Sequence, residues 1–129
     1  MRLLIIEDSD TIRAMLDTLL SAGGHTVEAV PTGPKGVDSA LEHPPDAILL
    51  DLHLRGPYDG FEVCAKLRAA PATRETPIIV ISAQADDASK QRALEAGANS
   101  YYTKPFSARA LLKEIESIGA RESTRLRVE

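Results

Sequence analysis

The sequence lacks the residues for a disulfide framework, a thiolate metal site or a membrane span. Tryptophan is absent, and Cys64 is the only cysteine among 129 residues. A single cysteine excludes an intramolecular disulfide and a Cys-x-x-Cys metal site, and it is typical of a reducing compartment. The first apolar run ends at Glu7, too early for a signal peptide, and no later run approaches the length of a membrane span. We therefore expect a cytoplasmic protein without a membrane segment.

The sequence also lacks a strong excess of acidic or of basic residues. The chain has 19 acidic and 15 basic residues, mixed along its length, and a formal charge of −4. This balance does not predict direct binding of nucleic acid or of an anionic membrane. Length and a hydrophobic content of 43% predict one domain, which we assign to residues 1–118. Residues 119–129 are interpreted as a C-terminal tail or the start of a linker, although a helix extension also fits.

Five short apolar runs predict β-strands. Four are aliphatic and the fifth is a pair of tyrosines; the runs are residues 3–6, 27–30, 47–50, 78–81 and 101–102. They are too short for buried helices, and three are continuous rather than alternating. Continuous runs are typical of strands that are buried on both faces of a parallel sheet.

A helical pattern follows each run. The clearest has apolar residues at positions 12, 15, 16, 19 and 20 and ends at Gly23-Gly24. The other helices are predicted at about residues 34–42, 61–69, 86–96 and 107–117, with Ser107 as an N-cap. Alternating strands and helices predict an α/β fold, a doubly wound five-stranded parallel sheet with five helices on its two faces.

Reactive side chains close four of the five predicted strands. In chain order they are Glu7 with Asp8, then Asp51, Ser82 and Lys104. The second strand ends in Val30-Pro31, so we expect it at a sheet edge. Each reactive residue alone is common as a turn, a cap or a solvated charge. Because the carboxyl ends of parallel strands line one crevice, their joint placement predicts a functional site.

The three carboxylates of this set predict a cation site. Within about 4 Å of one another they would repel by a few kcal/mol per pair at an effective dielectric constant near 20. A donor set of oxygens alone suits Mg²⁺, with Mn²⁺ as a second choice. Calcium is less natural because no EF-hand spacing occurs, and the scattered histidines 25, 43 and 53 disfavour zinc.

Asp51 is the best candidate for a nucleophile. It directly follows four apolar residues, so the sheet should hold it more firmly than Glu7 and Asp8. A carboxylate can accept a phosphoryl group as an acyl phosphate when a metal offsets the negative charge. Lys104 would supply a counter-charge to a phosphoryl oxygen, and Ser82 would supply a hydroxyl donor.

Four segments together resemble the receiver domains of bacterial two-component response regulators, of the chemotaxis-regulator type. The segments read IIEDSDTIR, ILLDLHL, IIVISAQ and AGANSYYTKPF, and the resemblance covers roughly residues 2–118. The set is highly specific, although any one motif alone would be weak. The resemblance implies a flavodoxin-like three-layer sandwich with strand order 2-1-3-4-5.

The resemblance also implies a phosphorelay role. A sensor histidine kinase or phosphotransfer protein would donate a phosphoryl group to Asp51. Mg²⁺ would be bound by Asp8, Asp51 and the backbone carbonyl of His53, with Glu7 acting mainly through water. The protein would be a switch rather than an enzyme, since it would take up one phosphoryl group and lose it slowly.

Further implied roles concern the phosphoryl group and the signal. Ser82 and Lys104 would bind the phosphoryl group, and Tyr101 would be a switch residue that turns inward with Ser82. The Lys104-Pro105 bond would be cis, a form that is accessible at low cost only before proline. A simpler interpretation of Tyr101 and Tyr102 is alternation across an edge strand, with one ring packed and one exposed.

The expected partner downstream is a protein target or a fused output domain. It would read the face formed by the fourth helix, fifth strand and fifth helix, which phosphorylation is expected to reshape. The chain would be a monomer or a phosphorylation-dependent dimer. The sequence does not predict the kinase, the stimulus or the output.

Two features depart from the usual family pattern. Gly60 lies nine positions after Asp51, one more than is usual, and Arg55 stands where proline is common. His53 and Gln84 occupy variable positions that in the family influence the lifetime of the phosphoryl group.

Three other functions were weighed against the switch. Flavin or nucleotide binding is disfavoured because Glu7-Asp8 stand where a glycine-rich phosphate loop would be needed. A phosphatase-type hydrolase with an aspartyl-phosphate intermediate would need a second carboxylate two residues after the nucleophile, where this chain has His53. An interaction module that takes no phosphate would not need the complete set of acceptor-site residues.

Overall fold

A computed structural model describes residues 1–128 of the protein, and the side chains of residues 1–120. The strands are β1 Arg2–Ile6, β2 Thr26–Val30, β3 Ala47–Leu50, β4 Ile78–Ser82 and β5 Ser100–Thr103. The helices are α1 Asp10–Ala22, α2 Gly33–Glu42, α3 Gly60–Ala69, α4 Asp87–Ala96 and α5 Ala108–Val128. The predicted bounds of the strands and of α2, α3 and α4 agree with these to within one residue at each end.

The five strands form one parallel sheet in the order β2-β1-β3-β4-β5. This order confirms the predicted topology, and β2, whose end carries no reactive group, is an edge strand. Strand β1 lies between β2 and β3, so the chain forms β2 on one side of β1 and then crosses to form β3 on its other side. A crevice at the carboxyl ends of β1 and β3 is therefore expected at this switch in strand order.

Two apolar cores lie on opposite faces of the sheet. Alternate residues of β1 point to the two sides: Leu4 and Ile6 pack with α2, α3 and α4, whereas Leu3 and Ile5 pack with α1 and α5. Aliphatic residues make up most of both cores, as the low aromatic content predicts. The arrangement is a three-layer sandwich, and it leaves only the strand ends free for polar chemistry.

Short polar side chains fix where the helices begin after the strand-end loops. The hydroxyl oxygen of Ser9 accepts a hydrogen bond from the Ile12 N–H at 3.3 Å, and the Asp59 carboxylate accepts one from the Glu62 N–H at 3.1 Å. Ser107 accepts from the Ala110 N–H at 3.1 Å, as an N-cap does. Each cap satisfies a backbone donor that the first helical turn leaves free.

The predicted end of α5 near Ser117 is wrong, because the helix continues to Val128. Leu111, Ile115 and Ile118 are buried on one stripe, so the apolar pattern itself passes Ser117. No proline follows to stop the helix. The assignment of residues 119–129 to a tail or linker stays a prediction. Within the described part of the chain, no helix has the length and apolar character needed to cross a membrane.

Gly60 allows α3 to begin against the end of β3. A Cβ atom at this position would collide with the carbonyl oxygen of Asp51 and would lie 2.5 Å from the Cα of Leu52. Both obstacles are backbone atoms, which cannot move aside as a flexible side chain can. The Gly60 N–H also donates to the Leu52 carbonyl oxygen at 3.0 Å. Only glycine permits this close approach.

We predict that Gly60→Ala lowers the free energy of unfolding by about 1–3 kcal/mol, because the added methyl group must displace backbone. Urea unfolding measures the effect. Gly119→Ala is the matched control, since a Cβ there would meet only the flexible side chain of Met1. Alanine is favoured over glycine within a helix, so this control should not be destabilised. Equal stability of Gly60→Ala and the wild type would contradict the close approach.

Candidate functional site

The carboxyl ends of four strands bring the predicted site residues to one rim of the sheet. Backbone hydrogen bonds continue past the strands and hold these positions: the Asp51 N–H donates to the Ile6 carbonyl oxygen at 3.0 Å, and the Lys104 N–H donates to the Ser82 carbonyl oxygen at 2.7 Å. The Glu7 N–H likewise donates to the carbonyl oxygen of Val30 at 3.1 Å. The backbone of each reactive residue is thus fixed by the sheet.

Glu7, Asp8 and Asp51 form a compact acidic cluster. One carboxylate oxygen from each lies within 4.8 Å of the other two. Glu7 and Asp51 are buried, with side chains only 3% and 5% exposed. Asp8 is more accessible at 20%. The sequence-based expectation that these carboxylates converge agrees with this geometry.

Lys104 supplies the positive charge nearest to the buried pair. Its Nζ atom lies 2.8 Å from Glu7 Oε1 and 3.6 Å from Asp51 Oδ2, and its side chain is 17% exposed. The short contact to Glu7 was not foreseen from the sequence, where Lys104 was expected only to bind a phosphoryl oxygen. Low exposure makes this pairing stronger than a surface ion pair.

Burial and the neighbouring Glu7 raise the pKa of Asp51 to about 7, from an ordinary value of 3.8. The His53 N–H, which donates to Asp51 Oδ1 at 3.1 Å, and the charge of Lys104 oppose this rise without cancelling it. The negative charge on Asp51 is therefore only partly compensated by the protein itself.

The pKa of Glu7 is shifted in the opposite direction. Burial alone would raise its pKa, but hydrogen bonds from Lys104 and from the Ser9 N–H outweigh burial and lower the pKa below its ordinary value. The two neighbouring carboxyl groups are thus driven apart in acidity. Within this pair, contact with Lys104 lowers the pKa of Glu7, whereas burial raises the pKa of Asp51.

The donor set fits a hard divalent cation. The cluster consists of carboxylates only, which is the ligand chemistry of Mg²⁺ and Mn²⁺ rather than of zinc. The raised pKa of Asp51 shows that an additional positive charge would be favourable there. The His53 backbone carbonyl as a further ligand, and Glu7 as a ligand through water, stay predictions.

Ser82 and Tyr101 are linked through the backbone of Gln84. Ser82 is fully buried, and its hydroxyl oxygen accepts from the Gln84 N–H at 3.2 Å. The Tyr101 hydroxyl donates to the Gln84 carbonyl oxygen at 2.7 Å. Tyr101 packs against the core on the α2, α3 and α4 side, and Tyr102 packs against the other core. The two rings do alternate across β5, but the expectation of one packed and one exposed ring is wrong, because both rings are partly buried and each packs against a core.

Two other sequence predictions concern the loops of the site. The side chain of His53 is exposed, as expected for a residue that contributes only its backbone. The peptide bond between Lys104 and Pro105 is cis.

Sequence reasoning missed two arginines at the rim. Arg13 of α1 donates through one guanidinium nitrogen to the carbonyl oxygen of Glu7 at 3.0 Å and of Asp8 at 3.5 Å, which braces the acidic loop. Arg55 places Nε 3.4 Å from Asp8 Oδ2. A contact of Arg13 with the acidic loop could have been predicted, because Arg13 lies only one turn into α1. Arg55 was noted in the sequence only as a departure from a family pattern.

Comparison with known proteins identifies one family and several relatives that match most of this chain. The family described as response regulator receiver domain matches residues 3–116. The transcriptional regulatory protein AfsQ1 of Streptomyces coelicolor is 42% identical over 125 residues, covering 95% of this chain and 54% of that protein. Response regulator ArlR of Staphylococcus aureus is 36% identical, covering 94% of this chain and 53% of that protein. The chain thus spans about half the length of these curated relatives.

A solved structure gives the same agreement. The receiver domain of sensor histidine kinase PA1611 from Pseudomonas aeruginosa superimposes with a TM-score of 0.84 at 32% identity, covering 92% of this chain and 97% of that chain. That structure has a magnesium ion coordinated in its active-site cleft.

The raised pKa of Asp51 predicts how stability changes with pH in metal-free protein. Between its ordinary pKa of 3.8 in the unfolded chain and about 7 in the folded chain, the folded protein holds an extra proton. The stabilisation is present in full below the lower value and is lost as pH rises through the upper one. Asp51→Asn removes this loss, so the variant should match the wild type near pH 4 and exceed it near pH 8 by on the order of 4 kcal/mol.

Urea unfolding in the presence of a chelator, repeated across this pH range, measures the difference. Asp38→Asn on the exposed side of α2 is the matched control and should show no such trend. A stability difference between Asp51→Asn and the wild type that does not vary with pH would contradict the assignment.

Proposed function

Because the chain belongs to the response regulator receiver domain family of two-component systems, which matches residues 3–116, we propose that it is a phosphorylation switch. Asp51 accepts a phosphoryl group in the presence of Mg²⁺, and a sensor histidine kinase or phosphotransfer protein is the donor. One observation carries the proposal: the buried Asp51 carboxylate lies 3.6 Å from Lys104 Nζ within a cluster of three carboxylates.

The acceptor step uses the carboxylate of Asp51 as a nucleophile. One of its oxygens forms a bond to phosphorus while the bond from phosphorus to the donor imidazole nitrogen breaks, and the imidazole leaves as a neutral ring after taking up a proton. Ionised Asp51 is required for this attack. Lys104 favours the ionised form, and it is close enough to pair with a phosphoryl oxygen after transfer.

The cation would be held by the residues of the acidic cluster and one backbone group: Asp8, Asp51, the His53 carbonyl and, through water, Glu7. When bound, Mg²⁺ offsets the negative charge that gathers where a carboxylate meets a phosphoryl group. The protein's own contribution is to fix Asp51 and to keep Glu7 ionised through Lys104.

Steady hydrolytic turnover is not favoured by the arrangement. A phosphatase working through an aspartyl phosphate needs a general acid beside the nucleophile. The residue two positions after Asp51 is His53, whose ring is exposed and which turns its backbone N–H to Asp51. A module that takes no phosphate is equally disfavoured, because it would have no use for a buried carboxylate of raised pKa beside Lys104.

The switch itself runs through the hydrogen bonds around Gln84. A phosphoryl group on Asp51 would draw the Ser82 hydroxyl toward it, away from the Gln84 N–H that it now accepts from. Tyr101 is bonded to the same residue and packs beside β4, so movement of this loop reaches the surface of α4, β5 and α5. This surface is where a partner would read the signal.

The output is proposed to lie with another protein or with a fused domain. AfsQ1, by its name, is a transcriptional regulatory protein, and this chain matches about half of it. The chain carries a formal charge of −4, which does not favour binding to the phosphate backbone of DNA. Direct contact with DNA is therefore not proposed for residues 1–118. The chain is proposed to be either a monomer or a dimer that forms on phosphorylation.

Incubation with a small phosphodonor and Mg²⁺ tests the acceptor role. The wild type should gain the mass of one phosphoryl group, and Asp51→Asn should gain none, because an amide cannot form the acyl phosphate. Intact-protein mass spectrometry measures both, and size-exclusion chromatography of the same samples reports any dimer. Asp38→Asn should label like the wild type. Equal labelling of Asp51→Asn would remove Asp51 from its role.

A second variant tests the coupling to the surface. Ser82→Ala should still be labelled, but the phosphorylation-dependent change in amide exchange of α4 and β5 should fall by at least about half, since the hydroxyl that moves is missing. Hydrogen exchange followed by mass spectrometry gives the measurement. An unaltered exchange response in this variant would contradict the proposed switch.

A further inference from the structure

The loop between β3 and α3 holds Arg55 over the acidic cluster. Leu54, on one side of it, is buried, and Tyr58, on the other, packs against the core with Lys66 Nζ 4.9 Å from its ring centre. Gly56 has a φ of 111°, in the left-handed region that favours glycine. The chain therefore reverses immediately after Arg55 while both flanks are anchored.

Arg55 is poised to associate with and leave its partner. Its Nε atom lies 3.4 Å from Asp8 Oδ2, yet its side chain is 91% exposed. The partner Asp8 is the most accessible carboxylate of the cluster at 20% exposure. An ion pair of this kind is weak and screened by salt, so it can be displaced without cost to the fold.

The charges at the rim define what the arginine does there. Lys104 is engaged with Glu7 and Asp51, and Arg13 is bound to backbone carbonyls and to Asp10. Among the described residues, Arg55 is the cation paired with Asp8. A divalent cation that binds through Asp8 would share this carboxylate with the guanidinium.

We propose that Arg55 is a positioning residue that competes with the divalent cation for Asp8 and so sets the cation affinity of the acceptor site. The proposal rests on the proposed function, since it takes Asp8 as a cation ligand. In cation-free protein the guanidinium neutralises Asp8. When the cation binds, the guanidinium is released to solvent at the mouth of the site, beside the path of an incoming anionic donor.

Arg55→Gln tests the competition directly. The variant should bind Mg²⁺ about two- to fivefold more tightly than the wild type at low ionic strength, and the difference should fade at high salt. Isothermal titration calorimetry measures the dissociation constant without any phosphodonor. Arg74→Gln is the matched control: it removes the same charge from an exposed position in the loop between α3 and β4, at the opposite end of the sheet.

A direct readout accompanies the affinities. The Nε–H resonance of Arg55 in the wild type should shift during the Mg²⁺ titration, with the same dissociation constant that calorimetry gives. Tighter binding in Arg55→Gln but not in Arg74→Gln supports the competition. Unchanged or weaker binding in Arg55→Gln, or equal tightening in both variants, overturns it while leaving the proposed function intact. A wild type that binds no Mg²⁺ would instead contradict the proposed function, and this inference with it.

Discussion

The structure depends most on the unfavourable proximity of Glu7, Asp8 and Asp51. One oxygen from each lies within 4.8 Å of the other two, Glu7 and Asp51 are buried, and Lys104 relieves only part of the repulsion. The backbone ladder prevents the groups from separating, because β1 and β3 are adjacent and parallel. Stability gained in the two cores therefore holds three mutually repelling carboxylates close together, an arrangement in which a bound cation would relieve the repulsion.

The rim was predictable from the sequence because parallel strands impose a shared polarity. Aliphatic runs of four residues mark four of the strands, and the residue after each run must then lie at the common carboxyl end. Asp51 and Ser82 directly follow such runs, whereas Lys104 lies two residues after the pair of tyrosines. The edge position of β2 was predicted because no reactive residue closes this strand. The resemblance to receiver domains supplied the rest of the strand order.

The remainder required coordinates because it depends on loop shape and side-chain direction. The pairing of Lys104 with Glu7, the bonds of Arg13 to loop carbonyls and the link from Tyr101 to Gln84 join residues with no periodic relation in the chain. The length of α5 was underestimated since the stripe of Leu111 and Ile115 was closed at Ser117, although Ile118 continues it. Periodicity predicts where a helix lies, whereas its exact ends depend on local capping and hydrogen bonding.

In the chain after Asp51, the residues needed for packing differ from the residue that contacts the acidic cluster. Leu54 in the loop and Gly60 at the start of α3 are needed for packing, whereas the side chain of Arg55 between them is exposed to solvent. Exposed positions of this kind can be exchanged with little effect on folding energy. If Arg55 acts on Asp8 as proposed, exchange of this one solvent-exposed side chain would change the cation affinity of the rim while the packing of the loop stayed the same.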